Sequence, residues 1–291
     1  MKLRTQTLLL AIFILTNINA FSHTGISGTI EWETLQINAE VSLDLASAGI
    51  RLPSGRTQGE SLLNSEYLRL IKPGILGLQV DSSSTLADLI SRGEFSLLEA
   101  ERLALSARKV PPALSPDMRN ITSSYTIPLF GINTALLRHN SPSPVMRTLN
   151  PVSTAQYTGI IIIASDSLPI HGMRSTTLAV PCLFPKIWDS DMNLIYERNM
   201  LGSRNILMVR YAPPQSIFQR NPSGLTPELT AVVGEHPLRI FASGVFGIKP
   251  TDLIIDRRDA MLIISSDANR RLLTEGRVVI ILDESVLRQV H

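Results

Sequence analysis

Cysteine is almost missing from this 291-residue chain, which has Cys182 and no other. A disulfide scaffold and a four-cysteine metal site are therefore excluded. Charge of one sign is also missing, since 27 Lys and Arg stand against 25 Asp and Glu. Long apolar runs are scarce as well. Leu8 to Leu15 is unbroken, and no later segment reaches the ~20 residues that a membrane-spanning helix needs. Repeats at periods of 20–50 residues are absent. What remains is a chain with 44% hydrophobic residues, enough to build a core and too many for a disordered tail.

Residues 1–20 read as a secretory signal peptide. Lys2 and Arg4 precede the apolar run, and Asn17 and Asn19 lead to a small residue, so cleavage is expected between Ala20 and Phe21. No cysteine follows the run, so no lipid anchor is expected. Removing Lys2 and Arg4 from the 27 basic residues leaves 25, equal to the 25 acidic ones. A neutral mature chain lacks the cationic excess that nucleic acid requires. The expected location is the periplasm or cell envelope, with no membrane span once the signal is removed.

The mature part divides into two units. Over residues 26–45, apolar and polar positions alternate, with a change of parity near Glu33–Leu35; this predicts a β-hairpin. Leu62, Leu63, Tyr67, Leu70 and Ile71 predict a helix that Pro73-Gly74 ends. Ser84 is expected to cap the next helix. Ser96 with Glu99 forms a capping box for the one after it. A strand follows at 120–130. Residues 140–153 hold three prolines and three serines and read as a linker between a first unit at 21–139 and a second at 154–291. The second unit opens on four isoleucines, Ile160–Ile163, as in a strand buried on both faces. A hairpin is expected around Asp189–Asn193, and further strands at 206–211, 238–246, 252–255 and 277–283. Asp256 is expected to cap a helix over 257–264. The fold class is α+β: an N-terminal hairpin with helices and a strand, then a C-terminal mixed-sheet α/β domain.

Catalytic and binding motifs fail on inspection. Asp189, Asp191 and Asn193 imitate the start of a calcium loop, but Leu194 and Met200 occupy positions that need Gly and Glu. His23, His139, His171, His236 and His291 show no ligand spacing. Ser106-x-x-Lys109 lacks the companion motifs of penicillin-binding enzymes. Phosphate loops are absent. No metal, cofactor or catalytic residue is expected. One alternative is a periplasmic hydrolase with a site near Asp166, His171 and Asp189. Another is a carrier of a small ligand between the two units.

The order of segments in the second unit carries a resemblance. It runs Y-T-G-I-I-I-I-A at 157–164, then P-x-I-W-D-x-D-x-N-L-I-Y across 185–196 and F-A-S-G-V-F-G at 241–247. T-D-L-I-I-D at 251–256 and R-V-V-I-I-L-D at 277–283 complete it. This resembles the envelope domain of the flagellar proteins FlgP and FlgT and their lipoprotein relatives, over about half of the mature chain. The whole chain is similar to exported spirochaete envelope proteins. The resemblance implies a non-catalytic periplasmic role in protein–protein contact, with ring or collar components or further copies of the chain as partners.

Overall fold

The computed structural model describes residues 24–138 and 141–290. The signal segment, the Ala20–Phe21 cleavage site, His23, His139 and His291 lie outside the described residues.

The first unit begins with the expected hairpin. Strand β1 (Thr24–Glu31) pairs antiparallel with β2 (Gln36–Asp44), and Leu35 turns the chain at φ 52°. Helix α1 (Arg56–Leu76) lays Leu63, Tyr67, Ile71 and Ile75 on the inner face of the hairpin. It runs straight through Pro73, where the sequence predicted a stop. Pro73 lies in the last turn, so it forfeits one hydrogen bond near an end and the helix closes at Gly77. Helix α2 (Leu86–Ser91) is capped by Thr85 rather than by Ser84. Asp88 completes a capping box that Ser84 has no partner to form. Helix α3 (Leu97–Leu105) starts at Ser96 with Glu99, as expected.

Two short strands, β3 (Arg108–Lys109) and β4 (Ala113–Leu114), border β5 (Asn120–Pro128). Strand β5 pairs with β2 along its whole length. The chain then turns into α4 (Phe130–Leu136), so Phe130 starts a helix and does not prolong the strand. Tyr67 stacks on Tyr125 with ring centres 3.8 Å apart, and its hydroxyl donates to the Ala104 carbonyl. Residues 141–157 run extended over the second unit. Ser143 N donates to Asn199 O, Val152 N to Ser265 Oγ, and Tyr157 N to Asn269 Oδ1.

The second unit contains β6 (Ile160–Ala164), the small pair β7 (Leu168–Pro169) and β8 (Thr176–Thr177), and the hairpin β9 (Ile187–Asp189) and β10 (Leu194–Tyr196). Strand β11 is short (Arg210–Ala212), because Ile206 to Val209 leave the sheet. Helix α5 (Pro227–Val233), β12 (Leu238–Phe246) and β13 (Asp252–Ile255) follow. Next come α6 (Arg257–Ile264), capped by Asp256 as predicted, a separate α7 (Asp267–Thr274), β14 (Val278–Leu282) and α8 (Glu284–Leu287). The sheet order is β10-β9-β13-β12-β6-β14-β11, with β12, β6, β14 and β11 mutually parallel. This is the mixed sheet that the four isoleucines foreshadow. Ile160 and Ile162 face one core, while Ile161 faces a second core under α5 with Leu229 and Val233.

The last strand, β15 (Arg288–Val290), returns to the first sheet and pairs with β1. The first sheet therefore reads β15-β1-β2-β5-β3, with β4 also on β5. A continuous hydrophobic core joins residues of both units from Ile30 to Leu287.

Candidate functional site

The three side chains of the hydrolase alternative occupy different surroundings. Asp166 lies exposed just past the end of β6. His171 is exposed; its N–H donates to the Val245 carbonyl, and its ring stands edge-on to Phe246 at 5.8 Å. Asp189 is 3% exposed at the end of β9. Its carboxylate accepts from Asp191 N, Asn193 N and Asn193 Nδ2, which closes the β9–β10 turn. Between β9 and β6 lie β13 and β12, so three strand spacings, about 14 Å, separate Asp189 from the end of β6. The structure does not bring Asp166 and Asp189 together. Ser106 donates its hydroxyl to Leu103 O at the end of α3, while Lys109 bonds Asn64, as befits ordinary helix-end and surface residues.

The most concentrated buried chemistry lies where the two units meet. The loop after α1 inserts Ser82 into the second unit. Its hydroxyl donates to Asp252 Oδ2 at 3.1 Å, and its carbonyl accepts from Lys249 N at 2.8 Å. Asp252 opens β13 and is 1% exposed. Oδ1 accepts from Lys186 N and Thr251 Oγ1, and Oδ2 also accepts from Trp188 Nε1 at 3.4 Å. Burial pushes the carboxyl above its ordinary range, and the donors around it oppose that shift in part. Gly247 makes the insertion fit. It has φ 109°, and a Cβ there would stand 2.4 Å from the Ser82 Cβ.

Backbone pairing continues the seam, as Leu183 N donates to Gln79 O and Phe184 N to Val80 O. Beside it Cys182 is fully buried, and burial pushes its thiol far up, so it behaves as a small apolar group. Tyr211 donates to Cys182 O at 2.8 Å, accepts from Cys182 N at 3.1 Å, and meets the edge of Trp32 at 5.9 Å. Ser82 thus ties the first unit to Asp252, while the other donors to this carboxylate, Lys186, Thr251 and Trp188, belong to the second unit.

Residues 23–134 match the family described as Treponema pallidum Tp0624, N-terminal domain, and residues 159–284 match Treponema pallidum Tp0624, second domain. The chain is similar to Tp0624 over both units, in the same order. No curated protein matches it. The Tp0624 domains form a spirochaete family, in keeping with the spirochaete resemblance drawn from the sequence. Their boundaries leave the extended stretch at 141–157 outside both matches and place the Ser82–Asp252 contact between them.

Among the described residues no group of three or more His, Cys, Asp or Glu is arranged to hold a metal, and no helix is long and apolar enough to cross a membrane. The seam was invisible to motif search. Ser82 lies in a serine-rich loop and Asp252 heads an ordinary strand, and nothing in either segment announces the other. Gly247 after a strand was the sole local signal, since a glycine there indicates close backbone approach.

Proposed function

We propose that the protein is an exported, non-catalytic component of the cell envelope that acts by binding other proteins. One observation carries this reading. Large apolar side chains stand bare on the surface of both units. Leu98 and Leu105 lie seven residues apart on one face of α3 and are 58% and 66% exposed; Phe241 and Ile248 are bare elsewhere. Apolar surface of this kind fits association with partners. The signal-like N-terminus supports export, and the neutral mature charge argues for protein partners over nucleic acid. The finer reading, a place among flagellar ring or collar components or in a homo-oligomer, rests on the order of segments in the second unit.

Cross-linking in intact cells, followed by identification of the joined proteins and fractionation of the envelope, tests the proposal. Adducts in the envelope fraction are expected. A cytosolic monomer without adducts overturns it, as does a turnover that disappears in Asp166→Ala.

A further inference from the structure

Two loops leave the same end of the second sheet. Ile170 bridges Val245 of β12 in parallel, and His171 N donates to the Val245 carbonyl at 2.9 Å. Both chains then turn. The first turns over 170–175, where Met173 N donates to Ile170 O and Ile170 N to Ser175 O; the second turns over 247–250. Met173 and Ile248 each stand three residues past the bridge, so both tips lie just beyond the end of β12. They are 65% and 84% exposed. Each is followed at once by an exposed cation, Arg174 and Lys249. Among the described residues neither cation makes an ion pair. The second tip is held firmly, since Lys249 N donates to Ser82 O in the seam and Val180 N to Pro250 O. A tip fixed in advance loses little entropy when it docks.

The ground beneath the tips is aromatic and cationic. His171 and Trp188 stand edge-on to Phe246 at 5.8 and 6.0 Å, and Lys186 Nζ lies over the Trp188 ring. Segments 167–188 and 236–251, which build this end, contain no Asp or Glu. Nearby acids are already engaged or set back. Asp252 is buried in the seam, and the Asp81 carboxylate accepts from Ser83 N and Oγ. Asp166 precedes β7, four residues behind the bridge, which is about 13 Å of extended chain.

The described residues that border the undescribed ones sit elsewhere. Thr24 opens β1 opposite Leu43, and Leu45 packs on Gly59 in the first turn of α1. The Ser82 loop follows the other end of that 21-residue helix, about 30 Å away. Val290 pairs with Thr29 in the first sheet. Ser143, just past residues 139–140, bonds Asn199 beyond β10, three strand spacings from β12.

Shape and charge select the occupant. A groove would suit a helix or strand of another protein. Single apolar side chains that protrude from fixed turns, each with a cation at its foot, suit a lipid surface. The side chain enters the acyl boundary, and the cation meets phosphate. Trp188 beside them is a residue type that favours the headgroup level.

We propose that Met173-Arg174 and Ile248-Lys249 dock the second unit on a bilayer rich in anionic lipid, with the two apolar side chains inserted and the two cations at the phosphates. The proposal goes beyond the reading of protein contact and stands without it.

The test uses the chain from Phe21 to His291 and two kinds of vesicle, pure phosphatidylcholine and an equal mixture with phosphatidylglycerol. Co-sedimentation with the anionic vesicles alone is expected. Arg174→Gln and Lys249→Gln each weaken it about fivefold. Met173→Ser and Ile248→Ser each weaken it roughly tenfold. Leu98→Ser, at a bare position on α3, leaves it unchanged. In Ile248→Trp the emission shifts to the blue on anionic vesicles and is quenched by lipids brominated in the acyl chains. These positions are exposed, so thermal unfolding stays as in the native chain. No binding to anionic vesicles, equal binding to both kinds, a loss in Leu98→Ser as large as at the tips, or emission of Ile248→Trp that ignores the lipid overturns the proposal. A photo-crosslinking residue is also placed at position 248 in cells. Capture of a protein there, with no vesicle binding, overturns this docking and leaves the protein-contact reading standing. Vesicle binding with no adducts from general cross-linkers supports the docking and overturns that reading.

Discussion

The two sheets of this molecule place their side chains by different rules. In the first, β2 and β5 alternate strictly: Ile37, Ala39, Val41 and Leu43 are buried, while Glu40 among them and Asp44 after them are exposed. In the second, β14 is buried at every position and β6 is buried or half-buried throughout. An antiparallel sheet covered on one face by α1 can leave its other face in water. A parallel ladder carries its crossovers on both faces and has no wet side. A single residue step therefore exchanges core for solvent in the first sheet, whereas in the second it exchanges one core for another.

The largest expected effect tests that contrast directly. Ile161→Ala and Ile162→Ala each lower the unfolding free energy by about 2–5 kcal/mol, because each leaves a cavity in a packed cluster. In β2 the neighbours separate: Val41→Ala is costly, while Glu40→Ala stays within about 0.5 kcal/mol. Urea midpoints at constant m-value measure all four. An Ile161→Ala as mild as Glu40→Ala would mean that the layer under α5 is no core.

A middle-sized effect lies at the seam, where the second sheet contains what the first does not, a buried carboxyl. Asp252 has its pKa raised in the folded state, chiefly by burial. A raised acid binds its proton more readily folded than unfolded. The stability it contributes is therefore full below the ordinary aspartate value and declines as pH rises from there through the raised folded value. Asp252→Asn removes that dependence. It also turns an acceptor pair into one acceptor and one donor, which leaves Ser82 or Trp188 unsatisfied at about 1–3 kcal/mol. Denaturation midpoints across acidic pH should show the native chain losing its advantage over the variant as pH climbs from that ordinary value. A difference that stays flat would place the Asp252 carboxyl in water.

How much of this was legible beforehand followed how local the cause was. Strands β12 and β13 and helix α6 match their expected spans, because alternation, an isoleucine run and the Asp256 cap are signals carried by neighbouring residues. The misreadings were local too, and competition between neighbours explains them. Thr85 outcompeted Ser84 because Asp88 stood three residues beyond it. Pro73 broke nothing because the helix had one turn left to run. The pairing of Ser82 with Asp252 spans 170 residues, and that of β15 with β1 spans more than 250. Contacts of that separation leave no trace in periodicity, so the seam and the return of β15 to β1 emerged only from the fold. The loop of Asp166 and His171 was legible as a loop after a parallel strand, but its distance from Asp189 depended on strand order.

The smallest expected effect concerns an ion pair between β15 and β1 that accompanies their backbone ladder. Arg288 Nη2 donates to Glu31 Oε1 at 3.0 Å, with side chains 71% and 27% exposed. An ion pair this wet is worth about 0.2–1 kcal/mol and is screened by salt. Global stability should therefore hardly change in Arg288→Ala. Local exchange is the sharper readout, because Arg288 to Val290 form only a three-residue strand and short edge elements open at low free energy. Amides of Thr29–Glu31 that face β15 should exchange faster in the variant at low salt, with the difference fading at high salt. Amides of β2 should not respond, since they are enclosed between β1 and β5. Equal acceleration in β1 and β2 would mean that β15 opens with the whole sheet and is no separate edge element.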